Sequence, residues 1–187
     1  YWENGYRHLT NSVKEVRSPE DLKGLKIRTM ESPIHLDMWK ELGAIPTPMA
    51  FPELFSALQQ GTVDGQENPY VVTATNRFYE IQDHLTVTQH VYAANIFLIG
   101  KKFWDTLSDE EKDIITVAGE EAKVYQREVE QQQANDLLKL LKEKGMKVTE
   151  LSAEEKQRFI DKVQPIYEKY SKELGEELVG KLLDAVK

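Results

Sequence analysis

The sequence contains no cysteine, which excludes disulfide bonds, thiolate chemistry and zinc sites with cysteine ligands. It also lacks a long apolar run, since no stretch approaches the roughly 18 residues that a membrane-spanning helix needs. The four histidines show no metal-binding spacing, and no His-Glu-x-x-His, Gly-x-Ser-x-Gly, Walker-type or Gly-x-Gly-x-x-Gly motif occurs. We therefore expect no catalytic residue, no metal and no cofactor.

A surplus of positive charge is absent as well. The 187 residues carry 32 acidic and 24 basic side chains, for a formal net charge of −8. That balance argues against nucleic acid or an anionic membrane as a partner. A small anionic ligand stays compatible with it, because a binding site needs only one or two local positive charges.

Short strands alternate with helices along the chain, and this pattern predicts an α/β fold with a mostly parallel sheet. The predicted strands are residues 1–10 with a break at Asn4-Gly5, 25–28, 44–49, 62–64, 85–88, 94–99 and 146–149. The strand 94–99 is apolar enough to be buried on both faces. The predicted helices are 18–23, 32–42, 52–60, 69–79, 108–143, and 152 onward with a break near Pro165. Capping boxes mark the starts, and glycines the ends, of most of these predicted helices.

Two polar features lie where predicted strands end. Arg28 closes the strand 25–28, and the run Asp64-Gly65-Gln66-Glu67-Asn68-Pro69 follows the strand 62–64. Strand ends that lead into helix N-termini collect ligand-binding groups in α/β sheets. The planar guanidinium fork matches the two oxygens of a carboxylate, and an amide beside a helix N-terminus can donate to an anion. Arg28 and the polar run 64–69 together therefore predict a binding site for an organic anion.

Each candidate residue also has a purely structural interpretation. Arg28 and Arg7 could form surface ion pairs, and Asn68 could only cap the helix that starts after it. Gln66 and Glu67 could contact a ligand or simply make hydrogen bonds at a tight corner. Phe51, like Tyr70, belongs either to the core or to the wall of a cleft.

Two other functions stay open from the residues alone. An α/β enzyme acting on an organic acid would need a general base, and Glu67 is the candidate for that role. A helical interaction module would use the run 120–144, although its apolar positions do not keep a steady heptad.

Several segments together resemble the solute-binding proteins of TRAP (tripartite ATP-independent periplasmic) transporters. The resemblance extends over nearly all of the chain. The segments that carry it are Gly24-Leu25-Lys26-Ile27-Arg28, Trp39-Lys40-Glu41-Leu42-Gly43-Ala44, Pro46-Thr47-Pro48-Met49, Val63-Asp64-Gly65-Gln66-Glu67-Asn68-Pro69 and Lys101-Lys102-Phe103-Trp104.

The resemblance implies a periplasmic, two-lobed α/β protein that closes on a small organic acid, a dicarboxylate or a sugar acid, and delivers it to membrane permease subunits. It implies that Arg28 pairs with the ligand carboxylate and that Arg7, in Asn4-Gly5-Tyr6-Arg7, is a second arginine of the site. Asn68 would contact the ligand, and Phe51 would line the cleft.

Members of that family are longer, so the resemblance also implies that this sequence corresponds to a C-terminal portion with the first lobe largely missing. We expect residues 1–92 to form the second, ligand-binding lobe. Residues 93–133 would form a strand and a long spine helix belonging partly to the first lobe, and 134–187 would pack back on the second lobe. Surface left by the missing half would allow self-association.

Overall fold

A six-stranded sheet with the order β3-β2-β4-β1-β5-β6 organises the chain. The computed structural model describes residues 1–185. The strands are β1 Trp2–Asn11, β2 Lys26–Thr29, β3 Ile45–Pro48, β4 Gly65–Asn68, β5 His84–Asn95 and β6 Lys147–Glu150. Helices connect most of these strands, which confirms the predicted α/β class.

One central strand runs against all the others. β1 pairs antiparallel with β4 on one side and with β5 on the other. The pairs β2–β3, β2–β4 and β5–β6 are parallel, so the five strands other than β1 share one direction. The sheet is therefore mixed, and the prediction of a mostly parallel sheet missed the reversed direction of β1.

The helices start and stop close to the predicted signals. They are α1 Pro33–Glu41, α2 Leu54–Gln59, α3 Tyr70–Thr75, α4 Lys101–Trp104, α5 Asp109–Glu143, α6 Ala153–Lys162, α7 Gln164–Leu174 and α8 Glu176–Ala185. Short 3₁₀ turns occupy Pro19–Leu22, Phe51–Glu53 and Phe78–Glu80. Within residues 1–185, no helix combines the length and the apolar character needed to cross a bilayer.

Buried apolar side chains lie on both faces of the sheet. Leu9, on β1, packs in a cluster with Trp39 of α1 and with Phe159 of α6. Leu85, on β5, packs in another cluster with Leu141 of α5. Thr10 pairs with Leu85 and Leu9 with Thr86, so these two clusters occupy opposite faces. The helices α1 and α6 cover one face, and α5 covers the other.

The predicted strand at 62–64 is wrong, because the strand in this region is β4, formed by the polar run itself. β4 lies between β2 and β1, and its side chains Gln66, Glu67 and Asn68 are all buried. Their polar atoms are hydrogen-bonded to one another and to groups on β1 and β5, which reduces the usual cost of burying them. Asp64, just before β4, accepts a hydrogen bond from the backbone N–H of Lys26.

The predicted strand 94–99 is also wrong. β5 runs without interruption to Asn95, which pairs with Trp2 at the start of β1. Beyond Asn95 the described residues offer no partner strand, so residues 96–100 form no ladder. The four side chains of 96–99 are 41% to 78% exposed, not buried.

Two predicted helices are divided more finely than expected. Residues 69–79 form the short α3 and then a 3₁₀ turn, because Arg77 takes a left-handed backbone with φ of 57°. The C-terminal helical region breaks at Val163, as the proline at 165 indicated, and breaks again at Gly175 with φ of 103°. The division of the chain into 1–92, 93–133 and 134–187 stays a prediction.

Candidate functional site

Arg28 is a buried cation with no carboxylate partner in the described part of the chain. It lies on β2, is 3% exposed, and donates from Nε and Nη2 to the carbonyl oxygen of Met49 at 3.0 and 2.6 Å. Its guanidinium carbon lies 5.8 Å from the centroid of the Phe51 ring. Among residues 1–185, no carboxylate oxygen lies within 4.0 Å of this guanidinium.

The electrostatics of Arg28 follow from its surroundings. Burial lowers the pKa of the guanidinium, the negative charge of Glu67 raises it, and the positive charge of Arg7 lowers it again. A buried charge is costly unless it is paired. An anion bound beside Arg28 would relieve that cost.

Arg7, by contrast, is already paired. Its Nε donates to Oε2 of Glu67 at 2.6 Å, and its Nη2 donates to Oε1 at 2.8 Å. The same Nη2 also donates to the Glu67 carbonyl oxygen at 2.6 Å and to Oδ1 of Asn68 at 3.1 Å. Such a two-pronged pair fixes the orientation of the arginine as well as its charge.

Glu67 is held from two sides and is completely buried. Besides Arg7, Nε2 of His90 lies 2.9 Å from Oε2, and Nδ1 of His35 lies 4.0 Å from Oε1. Burial alone would raise the pKa of Glu67, but the hydrogen bonds from His90 and Arg7 outweigh it and lower the pKa to about 2. Glu67 is therefore ionised at neutral pH, and its nearest partners are cationic or hydrogen-bond donors.

His90 is oriented by a second bond. Its Nδ1 lies 2.7 Å from Oγ1 of Thr88. Because an ionised carboxylate only accepts hydrogen bonds, Nε2 carries the proton that faces Glu67. Nδ1 then accepts from the Thr88 hydroxyl when the ring is neutral.

Asn68 belongs to a chain of buried amides and hydroxyls that runs away from Arg7. Its Nδ2 donates to Oε1 of Gln66 at 2.6 Å, and Nε2 of Gln66 donates to Oγ1 of Thr10 at 2.8 Å. The Thr10 hydroxyl donates to Oε1 of Gln82 at 3.1 Å.

The prediction that Asn68 caps the following helix is wrong, because Pro69 occupies the cap position and no side-chain cap bond forms.

The predicted site residues fall into two adjacent groups. Arg7, Gln66, Glu67 and Asn68 share one hydrogen-bond network across β1 and β4. Arg28 and Phe51 form a second group next to it, since Arg28 pairs in register with Gln66.

The sequence interpretation did not include His90, Thr88 and His35 in the site. No local motif singles out His90. Its contact with Glu67 depends on an irregularity in which β5 gains residues relative to β1 between Arg7 and Leu9. No spacing within the sequence signals that irregularity.

A separate cavity lies beside the candidate site. It has a volume of about 660 Å³ between α1, β5 and the helices α6 to α8. His35 and His90 lie at its wall, but Arg28, Asn68 and Phe51 do not. Within residues 1–185, no group of three or more His, Asp or Glu side chains is arranged to hold a metal ion.

Comparison with known proteins gives consistent matches along the chain. The profile of the family DctP, described as "Bacterial extracellular solute-binding protein, family 7", matches residues 1–173. A solute-binding protein of Verminephrobacter eiseniae is 41% identical over 184 residues, which cover 98% of this chain and 54% of that protein. The chain spans about half the length of the curated relatives it matches.

Solved structures match the fold closely. The sugar acid binding protein DctPAm of Advenella mimigardefordensis, in complex with galactonate, has a TM-score of 0.93 and 46% identity, and the match covers 98% of this chain and 59% of that one. A TRAP periplasmic solute-binding protein of a Polaromonas species, bound to D-erythronate, has a TM-score of 0.91 and 42% identity, covering 96% and 59%. One from Sulfurospirillum deleyianum with bound succinate has a TM-score of 0.91 and 34% identity, covering 100% and 61%.

Proposed function

Because this chain belongs to family 7 of the bacterial extracellular solute-binding proteins, the solute-binding proteins of TRAP transporters, we propose that it binds a small organic acid through an ion pair with Arg28. The family membership confirms the resemblance predicted from the sequence. The ion pair, the ligand and the delivery to a permease belong to the proposal.

The observation that carries the proposal is the missing counter-ion of Arg28. Its guanidinium is buried and bonded to one carbonyl oxygen, and the described residues place no carboxylate beside it. A ligand carboxylate would supply the charge that this position lacks. Truncating one partner of such a buried pair costs about 2–5 kcal/mol of binding free energy.

Neighbouring groups would orient the ligand. The ring of Phe51 is 42% exposed beside Arg28 and offers an apolar wall for a carbon skeleton. Asn68 keeps one amide hydrogen beyond the one given to Gln66, and Nη1 of Arg7 has no hydrogen-bond partner among residues 1–185. Gln66 and Glu67 would act indirectly, by holding Asn68 and Arg7.

The proposal includes the setting that the family suggests. The protein would act in the periplasm, close around the acid by a hinge motion, and hand it to membrane permease subunits. Closure would exclude water and so strengthen the ion pair. The solved structures with galactonate, D-erythronate and succinate make sugar acids and dicarboxylates the candidate ligands.

An enzymatic role is not favoured by the geometry. The general base considered for it, Glu67, has its pKa lowered to about 2 and both oxygens engaged by Arg7 and His90. A base of that strength would hold a substrate proton poorly at neutral pH.

The proposal can be tested with a panel of organic acids that includes galactonate, D-erythronate and succinate. Thermal shift and calorimetry would be run on this chain and on a full-length form of the size of the curated relatives, of which this chain spans about half. A ligand at 100 times its dissociation constant should add about 2.7 kcal/mol to the free energy of unfolding.

Arg28→Ala should weaken binding of the best acid by at least about 30-fold, which corresponds to about 2 kcal/mol. Arg17→Ala is the matched control, because Arg17 is an exposed arginine paired with Glu15 and should leave affinity unchanged. Equal affinity of Arg28→Ala and the parent protein would refute the assignment of Arg28. No binding of any acid by the full-length form would refute the function.

A further inference from the structure

A bulge in β5 lies directly beside the candidate site. We infer that the residues of this bulge, 87–90, are a positioning element: they turn His90 onto Glu67, and the hydroxyl of Thr88 holds the ring there. In this way the bulge keeps the pair of Glu67 and Arg7 in the geometry that ligand binding requires. This consequence for the ligand rests on the proposed function, whereas the orientation of His90 can be measured without a ligand.

The register between β1 and β5 shows the size of the bulge. Two pairs flank it, Leu9 with Thr86 and Arg7 with Val91. The four residues 87–90 of β5 therefore lie opposite the single residue His8 of β1. On the other side of β5, the pairing with β6 ends at Val87, so neither β1 nor β6 pairs with residues 88–90. Bulges are common beside active sites, where they redirect a side chain.

Gln89 provides the bend of the bulge. Its backbone has φ of 50°, a left-handed conformation that few residues other than glycine adopt. In a regular strand, Thr88 and His90 would lie about 6.6 Å apart along the chain. In the bulge, Oγ1 of Thr88 lies 2.7 Å from Nδ1 of His90, and Nζ of Lys156 donates to Oε1 of Gln89 at 2.8 Å. Strained residues of this kind persist where surrounding contacts hold them, and they cluster at ligand-binding sites.

The ring of His90 is held at both of its nitrogen atoms. Nε2 lies 2.9 Å from Oε2 of Glu67, an ionised carboxylate that can only accept hydrogen bonds. Nδ1 accepts from the Thr88 hydroxyl when the ring is neutral. When the ring is protonated, Nδ1 donates to the same oxygen, and the hydroxyl hydrogen can turn to the carbonyl oxygen of Arg7 at 3.5 Å. Thr88 thus serves the ring in either protonation state, because a hydroxyl both donates and accepts.

The bond to Thr88 also selects one of two orientations of the ring. A rotation by 180° about the Cβ–Cγ bond exchanges Nδ1 with Cδ2 and Nε2 with Cε1. The rotated ring of His90 would therefore present carbon atoms to both Thr88 and Glu67. Trp39 packs against the ring with a centroid distance of 5.0 Å and an interplanar angle of 72°. That contact supports the plane of the ring, and the hydroxyl of Thr88 distinguishes its nitrogen from its carbon.

The orientation of His90 matters for the arginine of the proposed site. Oε2 of Glu67 accepts two hydrogen bonds, from Nε2 of His90 and from Nε of Arg7 at 2.6 Å. If His90 turns away, Oε2 keeps only the bond from Arg7. The pair of Glu67 and Arg7 is then less firmly held, and an arginine that is not preorganised binds a ligand less tightly.

Nuclear magnetic resonance of the imidazole groups tests the orientation without a ligand. The 187-residue chain contains four histidines, and His90→Phe identifies the signals of His90 by their loss. At pH 8, above the ordinary titration range of histidine, we expect a slowly exchanging proton on Nε2 of His90. Thr88→Val and Thr88→Ala both remove the hydroxyl, and in each this proton should exchange with water at least about tenfold faster.

Two further variants serve as controls for the exchange measurement. Thr88→Ser keeps the hydroxyl and should restore slow exchange of the Nε2 proton. Thr116→Val removes an exposed hydroxyl on α5 that donates to the carbonyl oxygen of Lys112, and it should leave the signals of His90 unchanged.

Calorimetry on the full-length form tests the consequence for the ligand. Thr88→Val should weaken binding of the best acid by about three- to tenfold, the effect of losing one hydrogen bond that orients a binding group. Thr88→Ser should recover most of this loss. In a His90→Phe background, Thr88→Val should cause no further loss, because both residues act through the same ring. A residue with a purely structural role would lower the affinity equally in both backgrounds.

Substitutions of Gln89 test the bend itself. Gln89→Gly and Gln89→Val both remove the contact with Lys156, but only glycine adopts the left-handed conformation readily. A β-branched residue disfavours that conformation. Gln89→Val should therefore bind the acid at least about threefold more weakly than Gln89→Gly.

The outcomes separate this inference from the proposed function. An unprotected Nε2 proton of His90 in the parent chain would overturn the inference. Equal affinity of Thr88→Val and the parent protein, or an undiminished effect of Thr88→Val in the His90→Phe background, would overturn it and leave the proposed function standing. If the full-length form binds no acid, the proposed function fails, and the exchange measurements still decide whether the bulge holds His90.

Discussion

Nε of Arg7 lies 2.6 Å from Oε2 of Glu67, although sixty residues of sequence separate them. The contact joins two neighbouring strands, since β1 carries the arginine and β4 the glutamate. Both charges are buried, and Arg28, on the other side of β4, is left as a buried cation with no carboxylate partner among residues 1–185. The pair thus links the stability of the sheet to the charge of the proposed site.

Glu67→Gln should destabilise the protein strongly. The substitution leaves Arg7 as an uncompensated buried charge, and breaking a buried pair in this way costs about 3–5 kcal/mol. Urea unfolding would measure the change in the free energy of unfolding. Glu80→Gln is the control, because Glu80 pairs with Arg77 at the surface and such pairs contribute about 0–1 kcal/mol. Similar losses in the two variants would contradict the prediction.

Acid should weaken the fold through the same carboxylate. The pKa of Glu67 falls from its ordinary 4.5 to about 2 in the folded protein, so the unfolded chain takes up this proton first as the pH drops. The stabilisation is fully present above about pH 4.5 and is lost as the pH falls toward about 2. The stability difference between the parent protein and Glu67→Gln should therefore narrow from pH 5 to pH 2.5. A constant difference would mean that Glu67 titrates normally.

His8 should produce a separate effect at higher pH. Burial, and then the nearby charges of His90 and Lys156, lower its pKa from 6.5 to about 3. Between these values the unfolded chain binds a proton that the folded protein excludes, so stability falls as the pH drops below 6.5, by at most about 1.4 kcal/mol per pH unit. His8→Phe keeps an aromatic ring stacked on Tyr70 but cannot titrate. Between pH 6.5 and 4.5, the free energy of unfolding of this variant should change less with pH than that of the parent protein. An unchanged pH dependence would exclude His8 as the cause.

Gly65→Ala should destabilise the protein at the first residue of β4. A Cβ at this position would collide with the carbonyl oxygen of Thr10 and lie 2.8 Å from Cβ of Asn11, both on β1. Forcing extra atoms into such a contact costs about 1–3 kcal/mol. Gly119→Ala, in the middle of α5 with open space around it, should instead stabilise by up to about 1 kcal/mol. Chemical denaturation of both variants would show whether the free energy of unfolding falls in Gly65→Ala and rises in Gly119→Ala. A Gly65→Ala variant as stable as the parent protein would show that β1 and β4 can move apart at this position.

The 187-residue chain should self-associate through the segment 96–99. Its apolar side chains are exposed, with Leu98 at 78%, and apolar surface of this kind drives association. Sedimentation equilibrium should show concentration-dependent dimers or larger species. Leu98→Asp should shift the population toward monomer, whereas Leu178→Asp, at another exposed leucine on α8, should not. A monomeric parent chain at all concentrations would refute the prediction.

Much of the fold could be predicted because local signals determine it. Ser108 and Glu111 form the reciprocal bonds of a capping box at the start of α5, and Gly145, with φ of 98°, follows its end. Gly43 has φ of 97° just after α1, where a left-handed residue closes the helix. Each of these signals acts over a few residues, so the sequence alone reveals it.

The residues of the candidate site could be predicted from the sequence, but the strand pairing and the contacts between them could not. β4 was misplaced because Gln66, Glu67 and Asn68 resemble a turn until their partners on β1 and β2 are known. The contact of His90 with Glu67 depends on the positive φ of 50° at Gln89, within the irregular part of β5. Features set by pairing between distant strands leave no local trace in the sequence.

The two ends of the long helix α5 should differ in how readily they unfold locally. At 35 residues the helix extends about 50 Å, yet among residues 1–185 its first side-chain hydrogen bond to another element is made by Gln126, to Glu3. Its one fully buried side chain, Leu141, lies near the other end. Amide protons near Asp109 should therefore exchange with solvent much faster than those near Leu141. A single helix would thus contain both weakly and strongly protected amides.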